Sequence, residues 1–113
     1  MGVFDDNIST PLPITTVGKD IKESCVHYLK EKANLYNKYG CGVPSSVCCE
    51  RELGGIILTK FQQRLEDNGA TLWRVAAIKR TLGNTHISFY IAFHWWDMYG
   101  KCHKLFDCEY EII

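Results

Sequence analysis

The chain has no charge surplus of either sign. Its 113 residues carry 13 basic and 13 acidic side chains. A nucleic-acid binder gathers a basic excess to release counterions from phosphates, and an anionic membrane demands the same. Both partner classes are therefore set aside. Long apolar runs are also missing. The longest, Ile87 to Trp96, is broken by Ser88 and His94 and falls far short of a membrane span. The N-terminus shows no basic region followed by an apolar stretch, so no signal peptide is expected. Met1-Gly2 opens like a myristoylation site, but Asp6 stands where Ser or Thr is required. There is no phosphate-binding glycine loop, no zincin helix and no nucleophile elbow. Neither internal repeats nor a second domain are visible.

What is present is an ordinary globular composition, 46% apolar and 23% charged, in a length that suits one domain. Six cysteines are many for that length: Cys25, Cys41, Cys48, Cys49, Cys102 and Cys108. They fit a disulfide framework in an oxidising compartment or buried free thiols in a reducing one. Localisation follows that choice and stays open. Asn7-Ile8-Ser9 matches the glycosylation sequon.

Periodicity predicts the elements. Residues 1–16 read as an extended arm. Residues 17–39 read as an amphipathic helix, capped by Thr15 or Thr16, with Val17, Ile21, Cys25, Tyr28, Leu29 and Tyr36 on one stripe. Gly40 ends it. Residues 40–55 read as a connection rich in Gly, Pro, Ser and Cys. Residues 56–66 fit both a short helix and a half-buried strand. The strand is preferred, because Gly54-Gly55 discourages a helix and Asn68-Gly69 is a strong hairpin signal. Alternation then marks strands from Trp73 to Arg80, from 86 to 96 and around Phe106, Cys108, Tyr110 and Ile112. The expected fold class is α+β: one long N-terminal helix on a four-stranded antiparallel meander, in a single domain over 17–113.

Chemistry is sparse. His94, Cys102, His103 and Cys108 are the best metal candidates. Their spacing matches no standard zinc motif, and consecutive Cys102 and His103 face opposite sides of a strand. Cys25 and His27, two apart on a helix, do not face each other as a thiol–imidazole pair must. No metal, cofactor or catalytic residue is assigned, and the chain reads as a non-enzyme. The outer sheet face, with Tyr90, His86 and His94 beside Arg74, Asp107 and Glu109, reads as a solvated surface. Trp95 follows the inward phase, while Trp96 points away beside a turn. It either packs on the chain's own arm or serves a partner, since Trp is enriched among binding hot spots.

A long helix followed by a four-stranded meander over 17–113 is similar to the cystatin superfamily, inhibitors of papain-like cysteine peptidases. The resemblance implies a wedge built from neighbouring tips, with Gln63 to Gly69 in the first hairpin's position and Trp96 in the second's. The binding residues expected on that basis are Asn68, Gly69, Trp96, Met98 and Tyr99. The resulting expectation is a protein-binding module, in its first form a cysteine-peptidase inhibitor. Other forms are a viral or secreted effector that binds a host partner, and an enzyme or small-ligand carrier with a pocket between helix and sheet. An exposed edge strand, at 56–66 or 103–113, also offers itself to a second copy.

Overall fold

The computed structural model describes residues 13–40, 42–83 and 85–113. The order is α1 (Ile14–Tyr39), α2 (Ser46–Asp67), β1 (Leu72–Leu82), β2 (His86–Trp96) and β3 (Cys102–Glu111). The α+β class holds. Among the described residues there are two helices and one three-stranded antiparallel sheet in the order β1-β2-β3, rather than one helix and four strands.

α1 starts earlier than its apolar stripe implies. Pro13 occupies the cap with an extended backbone and no side-chain cap bond, which places Thr15 and Thr16 inside the helix. Residues 14–16 are therefore helical, and the rest of the expected arm, 1–12, lies outside the described residues. Gly40 ends α1 as expected. Its φ of 66° is open to glycine, and its N–H reaches Tyr36 O at 2.9 Å.

The main correction concerns residues 46–67, which form one helix instead of a connection followed by a strand. Ser45 caps it by accepting from Cys48 N at 3.2 Å. Leu53, Ile57, Phe61 and Leu65 recur every four residues and are all buried, so period 3.6 wins over period 2. Two mid-helix glycines cost roughly 1 kcal/mol each against alanine, which a four-residue apolar stripe outweighs. The Asn68-Gly69 pair makes no hairpin. Gly69, at φ 87°, donates to Glu66 O, and Ala70 N donates to Leu65 O. These two bonds are a Schellman ending, with buried Ala70 and Leu65 forming its apolar contact.

The strands follow the expected alternation. On the inner face Val75, Phe93 and Phe106 lie in one cross-strand row, and Ala77, Ile91 and Cys108 in the next. The Phe93 and Phe106 rings stack with centroids 5.9 Å apart. A bulge between Phe93 and His94 leaves Leu105 as the extra residue of β3. Leu105 fills the space above Gly18, where an added Cβ would lie 2.8 Å from its Cγ. Both helices cover the same sheet face, α1 over β3 and α2 over β1. Phe89, Phe93, Ile21, Leu29, Leu53 and Ile57 fill the space between the layers. No described helix is long and apolar enough to cross a membrane.

Candidate functional site

The β2–β3 loop is built around one carboxylate. Asp97 O accepts from Gly100 N and Asp97 N donates to Lys101 O, both at 3.0 Å. The Asp97 side chain then accepts at Oδ1 from Tyr99 N (2.9 Å) and Lys101 N (3.0 Å). Its Oδ2 lies 2.8 Å from His103 Nε2, and an ionised carboxylate can only accept, so the ring N–H donates. The His103 bond, helped by the two backbone donors, holds the Asp97 carboxyl below its ordinary value of 3.8. Trp95 stacks on the His103 ring at 4.3 Å between centroids. The loop is thus clamped from inside, and Met98 and Tyr99 are left 70% and 88% exposed.

The other expected tip, at Asn68 and Gly69, arrives at the same end by a different route. Thr71 N donates to Trp96 O at 2.8 Å, and Thr71 Oγ1 lies 3.2 Å from both Trp96 O and Asp97 O. The end of α2, with Asn68 and Gly69, therefore abuts the base of the loop carrying Met98 and Tyr99. Asn68 Nδ2 is committed to Arg64 O at 2.8 Å. Trp96 is half-buried on the outer sheet face, opposite Leu72 and Cys102. The rim is a helix end beside a hairpin. Asp97 and Thr71 were not singled out from sequence, and His103 was weighed there only as a metal ligand. The first had a signal, because Asp-x-x-Gly at 97–100 is a turn signature.

The other candidates are dispersed or neutralised. His94 and Cys102 lie on the outer face, while His103 and Cys108 face the helices. Among the described residues no three potential ligands come together for a metal. The described cysteines, all but Cys41, are free thiols. Burial pushes Cys25 up to about 12, with Cys108 and Cys49 adding to it, and likewise pushes Cys49 up to about 12. Neither is a ready nucleophile. Cys48 and Cys102 are exposed.

The outer face is a lattice of polar pairs. Tyr90 Oη donates to Asp107 at 2.7 Å, and Lys104 meets the same carboxylate at 3.0 Å. Arg80 lies 3.6 Å from Glu109 and over the Tyr90 ring, and His86 lies 2.9 Å from Glu111. At the seam of α2 and β1 a surface cleft of about 290 Å³ is lined by Gly54, Ile57, Leu58, Trp73 and Val75 among others.

No model of a known protein family matches the chain, and no curated protein or solved structure matches it either.

Proposed function

We propose that this protein is a binding module that inserts its β2–β3 loop into an apolar cleft on a protein partner. The observation that carries the reading is Tyr99, 88% exposed beside Met98 on a loop whose shape Asp97 fixes from within. A rigid aromatic anchor loses little conformational freedom on binding, and Tyr is enriched among residues that dominate interface energy. Thr71 couples the end of α2 to the loop, which supports reading Asn68, Gly69, Trp96, Met98 and Tyr99 as parts of one rim.

The specific form of this proposal is inhibition of a papain-like cysteine peptidase, with the rim blocking the substrate cleft. The resemblance behind it counted a strand at 56–66, which is helix, so it now rests on the rim alone. Titration of a papain-type peptidase tests it. Inhibition is expected to saturate and to fall at least tenfold in Tyr99→Ala. Full peptidase activity at a large excess of the chain eliminates the inhibitor form. The wider proposal is tested with a photo-crosslinking residue at position 99 in extracts of the cells that make the protein. One protein captured from position 99, and not from exposed Lys60 on α2, is the expected result. Equal yields from both positions would reject the loop as the binding element.

A further inference from the structure

The two edges of the sheet are not equivalent. On β1, side chains of α2 occupy edge amides: Ser46 Oγ accepts from Lys79 N at 2.9 Å, and Glu50 Oε1 from Ala77 N at 3.3 Å. On β3, no side chain bonds a backbone group from Cys102 to Glu111 among the described residues. Among the described residues, one edge is closed and the other is open.

α1 stands over the open edge. Asp20 meets Arg64 of α2 at 2.6 Å, and Tyr28 donates to Glu52 of α2, which fixes one flank of α1 against its neighbour. Gly18 faces β3 through Leu105. Lys19, Lys22, Val26 and Lys30 recur at helical spacing on the opposite flank, away from α2 and on the β3 side. Together with Glu23 and His27 they line a shallow cleft of about 480 Å³, in which the three lysines outnumber the one carboxylate. All three lysines are exposed, and none pairs with a carboxylate among the described residues. The charge of Lys22 reaches Asp107 and Cys108 of β3.

We propose that the β3 edge and the lysine flank of α1 together bind an extended acidic polypeptide segment as a fourth strand. Backbone bonds to β3 would supply affinity, and alternate carboxylates facing Lys19, Lys22 and Lys30 would supply selectivity. The intervening side chains lie beside Asp107, Glu109 and Glu111 and must be neutral or basic. Those same acids exclude a second copy. Antiparallel pairing of β3 with itself beyond the bulge opposes residues of one face, and each outward residue there, 107, 109 and 111, is acidic.

The test uses an eight-residue peptide alternating Glu with Thr, capped at both termini, titrated into the whole chain and followed by amide NMR shifts. Saturable shifts are expected in residues 105–111 and on the lysine flank. Replacing Glu by Lys in the peptide should weaken binding at least tenfold, and Lys22→Glu should reverse the preference. Backbone N-methylation at one alternate set of residues should abolish binding, while methylation of the other set is tolerated. No saturation at millimolar peptide, equal tolerance of both methylation sets, or shifts confined to residues 96–101 would overturn the proposal. So would sedimentation showing that the free chain dimerises through β3. The loop at Tyr99 is not involved, so failure here leaves the loop-insertion reading standing, and the reverse also holds.

Discussion

Asp97 shows how one side chain sets the shape of a surface. Its carboxylate takes two backbone donors and the His103 ring, and each bond is stronger to the charged form. Because its folded pKa lies below 3.8, the unfolded chain binds protons first as pH falls. The stabilisation is complete well above pH 3.8 and disappears as pH drops through the lower folded value. Stability measured by urea unfolding should therefore decline more steeply with acid, below about pH 4, in the wild type than in Asp97→Asn. Identical slopes would show that the clamp is not electrostatic. The residues exposed at the loop tip were legible in sequence, because Met98 and Tyr99 sit in an evident turn. The residues that fix them were not. His103 stood out only as a candidate metal ligand, and only the hairpin register lays it on Trp95 and within reach of Asp97.

Legibility was uneven among the elements. α1 and the three strands each have a single period that fits, so their residues could be assigned. α2 could not, because its Ile57, Phe61 and Leu65 satisfy both readings, and Asn-Gly ends a helix as readily as it turns a hairpin. The bulge at Leu105 was also hidden, since the side chain packs on Gly18, more than eighty residues away in sequence. That contact gives a prediction whose sign depends on the partner. Alanine at position 18 gains about 1 kcal/mol of helix propensity over glycine. It also places a Cβ 2.8 Å from Leu105 Cγ, and overpacking of this kind costs about 1–3 kcal/mol. Gly18→Ala alone should then be destabilising. In a Leu105→Ala background the clash is gone and the same substitution should stabilise, up to about 1 kcal/mol. Urea midpoints of the four proteins in the cycle measure this, and additive effects would mean that Leu105 does not pack on Gly18.

At the scale of the whole molecule, the sheet has one closed edge and, among the described residues, one open edge, and under the proposed strand addition this asymmetry decides where another chain attaches. It arises because α2 reaches β1 with Ser46 and Glu50, while α1 turns a flank of lysines outward above β3. No local pattern in the sequence encodes that difference, since the caps lie 27 and 33 residues from the amides they serve. The closed edge is open to direct test by native-state hydrogen exchange. Lys79 N, held at 2.9 Å by Ser46, should exchange slowly for an edge amide, and Ala77 N, held at 3.3 Å by Glu50, somewhat faster. Exchange of Lys79 should rise several-fold in Ser46→Ala, and that of Ala77 should rise in Glu50→Ala, each with little change at the other site. Loss of one such bond costs about 0.5–1.5 kcal/mol, which is roughly a two- to thirteenfold change in opening when exchange proceeds by local fluctuation. A uniform rise at every β1 amide would instead mean that the substitutions loosen α2 as a whole, and the side chains would then be supports for the helix rather than caps for the edge.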